Sequence, residues 1–377
     1  MKKKIIYLFT SCKNKGPTKQ TLNIIKHLDR EIFEPILVTL YKDAENDTLL
    51  DEFKLLIERC YSIDSSSKKV LLRSKKNIFK VLDEIEPDII HSVGLVPAIV
   101  AQKYTKSIHV TTIRNFVYDD YVSKFGKATG TIMAKIHLSI IQKCTHVYAC
   151  SQSLSNLYKE AFSLDLPYIR NGVDVKNYPL KSPEDTVRFR EKLGLPFDKL
   201  ILIYTGQFIM RKNQQFAIEN FLALSSDNAE MNAVMLLLGD GADYKELYAK
   251  YSHNEAILFT GNVSNVSEYL QASDIYLSTS KSEGLPNGVL EAMATGLPVL
   301  LSDILQHKEI HEINENVGFL YELGNSEDFQ HQLTMLLDED LKTMGSASYN
   351  VINNELNAKK MSITYQREYQ KALGMKI

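Results

Sequence analysis

Short apolar runs alternate with longer amphipathic stretches through the first half of this chain, and the alternation starts again after residue 200. Runs at 5–9, 36–40, 89–91, 108–112 and 145–149 are rich in Ile and Val and read as buried strands. The stretches between them, at 18–28, 76–85, 97–104, 133–142 and 153–162, read as helices. The second round places strands at 200–205, 234–238, 257–260, 275–278 and 299–302, and helices at 214–223, 244–250, 289–295 and 328–337. Parallel neighbours need a crossover, so this order predicts parallel sheets wrapped by helices. Two rounds of it within 377 residues predict an α/β chain of two doubly wound domains. The expected boundaries are 1–174 for the first domain and 200–340 for the second. Residues 175–199 hold Pro179, Pro183 and Pro196 without clean periodicity and read as the linker. Residues 341–377 read as C-terminal helices returning toward the first domain.

Charge is unevenly spread along the chain. Residues 1–180 carry 27 Lys+Arg against 19 Asp+Glu; the totals of 44 and 46 leave 17 against 27 for residues 181–377, so +8 faces −10. Such asymmetry suggests different partners for the two halves, although charges on a solvated surface also segregate by chance. No apolar run approaches the roughly 18 residues of a membrane span. The run after Met1-Lys2-Lys3-Lys4 is short and leads into Thr10, Ser11, Cys12 and Lys13, which reads as a strand rather than a signal sequence. The cysteines, Cys12, Cys60, Cys144 and Cys150, form no CxxC pair, and we read reduced thiols, no metal site and a cytoplasmic chain. Lys68, Lys69, Arg73, Lys75, Lys76 and Lys80 lie within 13 residues without an acidic residue, interleaved with Val70, Leu71, Leu72, Ile78, Phe79, Val81 and Leu82. A basic amphipathic helix of this kind suits an anionic membrane face, and equally the lysine-rich solvent face of an ordinary domain helix.

The densest motif runs from Ser282 to Val299. A strand ends near Ser278, and Gly284, Pro286 and Gly288 make a tight turn. A helix then runs from about Asn287 to Thr295 and stops at Gly296, with Pro298 beyond. A helix N-terminus at the carboxyl end of a parallel strand suits a phosphate. Glu283 and Glu291 flank the turn. Carboxylates repel phosphate but take sugar hydroxyls as bidentate donors. Taken alone, two glutamates here would also fit a solvated helix start. The second element is Gly206-Gln207-Phe208-Ile209-Met210-Arg211-Lys212-Asn213, between a strand and a helix. Two adjacent cations there can neutralise a diphosphate leaving group without metal.

The first of these stretches resembles the signature of glycosyltransferase family four, Glu-Gly-x-x-x-x-x-x-Glu-Ala-Met-Ala-x-Gly-x-Pro-Val, of the GT-B fold with its two Rossmann-like domains facing each other across a cleft. The resemblance implies that Glu283 contacts the donor sugar and Glu291 the nucleotide ribose, with Gly284, Leu285, Pro286 and Asn287 forming the donor loop. It also implies that Arg211 and Lys212 hold the diphosphate and that Gly206 opens their loop, although Gln207 stands where the family commonly has Arg. Leu238-Gly239-Asp240-Gly241 and Asn171-Gly172-Val173-Asp174 are similar to family turns, and Asn262 and Val263 fall in the loop that meets the base. Gly16 matches a phosphate-touching glycine, but Pro17 removes an amide. Arg114 stands where relatives place a histidine near the sugar; His91 also resembles a family position, and as a lone strand-end histidine it reads more readily as structural.

The implied activity is a retaining, front-face transfer from a nucleotide-diphospho-sugar to a glycan or polyprenyl-linked acceptor in cell-surface polysaccharide synthesis. No Asp-x-Asp motif accompanies these donor-site stretches, so no metal or cofactor is expected, and no nucleic-acid partner. The implied location is cytoplasmic, peripheral on the inner membrane face. A sugar-nucleotide epimerase of the same fold, and a non-catalytic nucleotide-sugar-binding partner of another transferase, are the alternatives.

Overall fold

In the computed structural model the described residues are 1–44, 47–63, 75–227 and 231–376. The chain divides into two compact units, residues 1–172 with 358–377, and residues 173–357. Unit 1 is therefore completed by a segment from the far end of the chain. Of the C-terminal helices, Leu341–Asn354 belongs to the second unit and Ala358–Ala372 to the first.

Unit 1 runs β1 (Lys3–Phe9), α1 (Gly16–Lys26), β2 (Phe33–Thr39), α2 (Leu50–Leu56), β3 (Arg59–Ser62), α3 (Lys75–Ile85), β4 (Ile89–Ser92), α4 (Leu95–Lys103), β5 (Ile108–Ile113), α5 (Val117–Phe125), α6 (Lys127–Lys143), β6 (His146–Ala149) and α7 (Gln152–Phe162). Its six parallel strands stand in the order β3-β2-β1-β4-β5-β6. Alternation along β1 fixes both faces of this sheet. Ile5, Tyr7 and Phe9 join a core with Ile24, Tyr365 and Tyr369, while Ile6 and Leu8 join another with Ile36, Leu82 and Val100. Helices start where local chemistry caps them: Ser151 accepts the Leu154 amide at 3.1 Å, satisfying one orphan donor of α7.

Unit 2 runs α8 (Pro183–Leu193), β7 (Leu200–Thr205), α9 (Gln214–Asp227), β8 (Ala233–Leu238), α10 (Tyr244–Tyr251), β9 (Ile257–Gly261), α11 (Val266–Gln271), β10 (Ile275–Ser278), α12 (Asn287–Ala294), β11 (Val299–Ser302), α13 (Leu305–His311), β12 (Gly318–Tyr321), α14 (Ser326–Leu337) and α15 (Leu341–Asn354). The last helix of the chain, α16 (Ala358–Ala372), completes unit 1. The unit 2 sheet is again parallel, in the order β12-β11-β10-β7-β8-β9. The two units are thus each Rossmann-like.

The stretch read as a linker is partly helix. Ser182 caps α8 through the Asp185 amide at 3.1 Å, Pro183 opens it, and Gly194 ends it with φ +65°. Its anchor is polar. Buried Arg190 pairs with Asp274 at 2.6 Å and donates to the carbonyls of Ala272, Pro196, Phe197 and Lys199. An apolar stripe was never going to mark a helix held this way. Among the described residues no helix is long and apolar enough to cross a membrane. Of the basic stretch, Lys68, Lys69 and Arg73 lie outside the described residues; Lys80 is exposed on α3, 3.8 Å from Glu84.

Buried histidines make acid sensitivity uneven between the units. Burial lowers His91 to about 3, and His109 and His137 to about 4, all in unit 1; His307 in unit 2 also falls to about 4. An unfolded histidine titrates near 6.5, so below that pH the unfolded chain takes up protons that the folded chain refuses. Stability from these groups is complete above about pH 6.5 and is lost as pH falls toward 4. Unit 1, with three of the four, is expected to lose hydrogen-exchange protection before unit 2 between about pH 7 and pH 5.

Candidate functional site

In unit 2 the strand order reverses at β7: β8 and β9 lie to one side and β10 to β12 to the other. Doubly wound sheets bind ligands outside the carboxyl ends of their strands at such a reversal. Two loops leave the sheet there, residues 206–213 after β7 and 279–286 after β10. They are stitched together by backbone groups. Thr279 Oγ1 donates to the carbonyls of Lys212 at 3.2 Å and Asn213 at 2.8 Å. The Tyr204 hydroxyl donates to the Lys212 carbonyl at 2.6 Å, and the Lys281 amide to the Arg211 carbonyl at 2.8 Å.

This stitching brings three of the sequence-derived residues together. Lys212 Nζ lies 2.6 Å from Glu283 Oε1, and Arg211 Nη1 lies 2.8 Å from Oε2. The Glu283 side chain is 6% exposed, against 17% for Arg211 and 16% for Lys212, so solvent does little to screen the pairs. Burial alone would raise the Glu283 pKa; Lys212 and then Arg211 outweigh it and hold the carboxyl far below the usual range. Arg211 also donates to the Ser282 carbonyl. The result is a buried cluster of two cations and one anion, with net positive charge. The ammonium spends one of its three N–H donors on Glu283, and an anion arriving here meets fixed cations.

The other donor-side residues surround this cluster or line the same sheet edge. Gly206 ends β7, and a Cβ there would lie 3.5 Å from Lys212 Cε, so the lysine stem passes over it. Gly239, at φ +134°, packs against the Gly206 carbonyl so closely that any side chain would collide with it. Asn262 is exposed and Val263 half-buried just after β9. Gly284, Leu285 and Pro286 are buried, and Asn287 opens α12. Gly288, in the first turn of α12, lets the helix seat on the sheet. A Cβ there would stand 2.5 Å from the Tyr276 hydroxyl and 2.8 Å from Thr205 Oγ1. Gly288→Ala should cost about 1–3 kcal/mol through this overpacking, read as a lower thermal midpoint; an unchanged midpoint would show that α12 can lift without penalty.

Glu291, on α12, is 8% exposed and accepts a hydrogen bond from Tyr178. Burial, reinforced by the Glu291 charge, raises the Tyr178 phenol well above its ordinary range, so it remains a donor. Sequence reasoning missed Tyr178 because it fell in the stretch set aside as a linker. It also missed His307, which is fully buried behind the β10 loop. Its Nδ1 lies 2.8 Å from the Ser302 carbonyl, and Nε2 is 3.4 Å from Ser278 Oγ. No spacing rule marks either residue; only the tertiary fold brings them to the site.

The unit 1 candidates are placed by their own unit. Gly16 opens α1, with Pro17 in its first turn. Arg114, half-buried at the end of β5, donates to Asn171 Oδ1 at 2.5 Å. His91 is fully buried among Tyr7, Tyr365 and Tyr369, at ring separations of 5.7, 5.6 and 6.0 Å. Its Nδ1 meets the Tyr369 hydroxyl at 2.6 Å and its Nε2 meets Thr112 Oγ1 at 3.2 Å. Both ring nitrogens are thus engaged inside the core, which is the arrangement of a structural histidine.

Two family models match the chain: "Glycosyl transferases group 1" over residues 199–339 and "Glycosyltransferase Family 4" over residues 15–177. The UDP-Gal:alpha-D-GlcNAc-diphosphoundecaprenol alpha-1,3-galactosyltransferase of Escherichia coli is 26% identical over 302 residues, 76% of this chain and 75% of that protein. The O-antigen biosynthesis glycosyltransferase WclY of Escherichia coli is 23% identical over 379 residues, 97% of this chain and 98% of that protein. Among solved structures, Anabaena Alr3699/HepE in complex with UDP and glucose superposes with a TM-score of 0.81 at 18% identity, covering 98% of this chain and all of that one.

Proposed function

Because this chain belongs to the GT-B glycosyltransferases of group 1 and family 4, we propose that it moves a sugar, with retention and without metal, from a nucleotide-diphospho-sugar to a lipid-linked glycan in cell-surface polysaccharide synthesis. The observation that carries this reading is the pair of cations held on the buried Glu283 carboxylate where the strand order reverses. Support for the donor class comes from the neighbour bound to UDP and glucose, and for the acceptor from the relative named for a diphosphoundecaprenol substrate.

The chemistry follows from charge. The bond between the anomeric carbon and the diphosphate oxygen breaks, and its electron pair leaves with the diphosphate. Arg211 and Lys212 neutralise that growing charge in a site already free of reorganisation. Glu283 holds the two cations in place and accepts from a sugar hydroxyl. The acceptor hydroxyl attacks from the leaving-group face and passes its proton to the departing phosphate oxygen. No cofactor takes part, and activity is expected to survive EDTA; loss with recovery on adding magnesium would refute the metal-free step. Cytoplasmic location at the anionic inner membrane face fits a lipid-linked acceptor.

Glu291 takes the ribose hydroxyls, which must share its carboxylate with Tyr178 or displace the phenol. Glu291→Ala should therefore weaken nucleotide binding by about 1.5–3 kcal/mol, the worth of a hydrogen bond to a charged acceptor. Calorimetric titration with nucleoside diphosphates checks this, and equal affinity in a folded variant would remove Glu291 from the ribose. A panel of nucleotide sugars read by thermal shift identifies the donor, because a ligand of the native state raises its stability. Turnover of donor without any acceptor would instead favour an epimerase.

A further inference from the structure

We propose that His307 is a positioning residue for the transfer step, holding from behind the sheet edge the two loops that carry Lys212 and Glu283. The proposal deepens the reading of their cluster as the leaving-group site and rests on it. His307 lies on α13 and meets the carboxyl ends of neighbouring strands, where Tyr204 of β7, Ser278 of β10 and Ser302 of β11 stand. These four side chains, with Thr279 and Ser280 of the β10 loop, are all buried. Polar groups withdrawn from water are costly unless each finds a partner, so a bonded set of this kind has few arrangements open to it.

The directions of the bonds follow from the carbonyls, which only accept. His307 Nδ1 lies 2.8 Å from the Ser302 carbonyl, so Nδ1 carries the proton and Nε2 is bare. The Ser302 hydroxyl donates to the Ser280 carbonyl at 2.6 Å. The Ser278 hydroxyl turns its proton toward Nε2 at 3.4 Å and Ser280 Oγ at 3.3 Å. The Lys212 carbonyl takes the Tyr204 proton at 2.6 Å, so in the 3.4 Å contact between Tyr204 and Ser280 the serine donates. A chain of donors and acceptors thus joins the imidazole to the backbone of Lys212. Burial keeps the ring neutral, lowering it to about 4 against the pull of the Glu283 charge.

Both charged loops hang on this chain. Ser280 precedes Glu283 by three residues, and the carbonyl that Tyr204 holds belongs to the lysine paired with Glu283. An apolar side chain at 307 would fill the space without ordering the hydroxyls, and the loops could settle with their charges displaced. A displacement of about 1 Å from the productive geometry can cost roughly 100-fold in rate.

Steady-state kinetics of the full chain, with the nucleotide sugar that the thermal-shift panel selects, tests the assignment. His307→Leu should lower kcat by about tenfold to a hundredfold, with KM for the donor little changed. In His307→Gln the amide oxygen can take the place of Nε2 and accept from Ser278, so part of the rate should return. Tyr204→Phe cuts the far end of the chain without touching His307 and should also lower kcat. The double variant of Tyr204→Phe with His307→Leu should be about as slow as His307→Leu alone, because both changes cut one chain. Circular dichroism and calorimetric titration of UDP, read in each variant, establish that fold and nucleotide pocket are intact. Long-range proton–nitrogen NMR should find wild-type His307, assigned by the signal that His307→Gln removes, protonated at Nδ1 and bare at Nε2. A folded His307→Leu with wild-type kcat, whatever its thermal midpoint, would make His307 a packing residue and overturn the proposal. Losses that multiply in the double variant, or a proton on Nε2, would overturn it too. Wild-type kcat in Lys212→Ala would instead refute the leaving-group reading on which it rests.

Discussion

Lys212→Ala is expected to lower turnover by about 100- to 1000-fold, the usual loss when one fixed donor to a developing negative charge is removed. The lysine is suited to this because its position is set from three directions. Its carbonyl is held by Tyr204 and Thr279, its stem passes over Gly206, and its ammonium is drawn to Glu283 at 2.6 Å. Little reorganisation is left to pay for when charge moves onto the diphosphate. Arg211→Ala should fall in the same range, since its guanidinium stands on the other carboxylate oxygen at 2.8 Å. The two losses should not add, because both groups serve one departing charge. Steady-state kinetics with a saturating donor reads the effect. A folded Lys212→Ala with wild-type kcat would exclude the lysine from leaving-group stabilisation.

Glu283→Ala should damage stability and turnover together. With the carboxylate gone, two cations that are 16–17% exposed lose the anion that lies between them. Breaking a buried pair in this way costs about 3–5 kcal/mol, which for a unit of this size lowers its thermal midpoint by roughly 10 °C. The sign of the pH dependence follows from the depressed carboxyl. Its contribution is full above the ordinary carboxylate pKa and is lost only as pH falls through the folded value, far into acid. The Glu283 and Lys212 single variants, measured with the double variant, give the coupling directly. A coupling near zero would mean that the carboxylate does not hold the lysine. Glu283→Leu with wild-type turnover would separate the anion from the chemistry altogether.

The parts of this fold legible in the sequence are those encoded by period and by glycine. Strands such as β1 and β7 are buried on both faces, so their apolar runs are continuous and stand out. The edge strands β3 and β12 did not, because each is four residues long and half of its positions or more are only partly buried. The entry to α12 was readable because Gly284 and Pro286 interrupt any regular run before it, and the helix starts at Asn287 as expected. The meeting of Arg211 and Lys212 with Glu283 was read as a shared site but not as an ion cluster. Glu283 lies 71 residues beyond Lys212, and only the adjacency of β7 and β10 in the sheet brings the three together. Helix α8 hid behind Arg190, a polar anchor without apolar period. His91 stood out by its resemblance to a family position, and the cage around it, Tyr7 with Tyr365 and Tyr369 of α16, is completed by a helix about 275 positions later.

That same C-terminal helix decides the order in which the protein can be made. Met361, Tyr365 and Tyr369 are core residues of unit 1, and Ser362 and Gln366 bond the carbonyls of Ile24 and His27. A nascent chain that has exposed its first 172 residues still lacks this wedge, whereas unit 2 is contiguous and fully present once residue 357 emerges. Synthesis from the N-terminus therefore reverses the usual sequence: the first unit to appear is the last to close, and its tyrosine-lined face waits through the translation of the whole second unit. A ribosome stalled before residue 358 would carry a finished unit 2 behind an open unit 1, the state on which chaperone capture or premature cleavage would act.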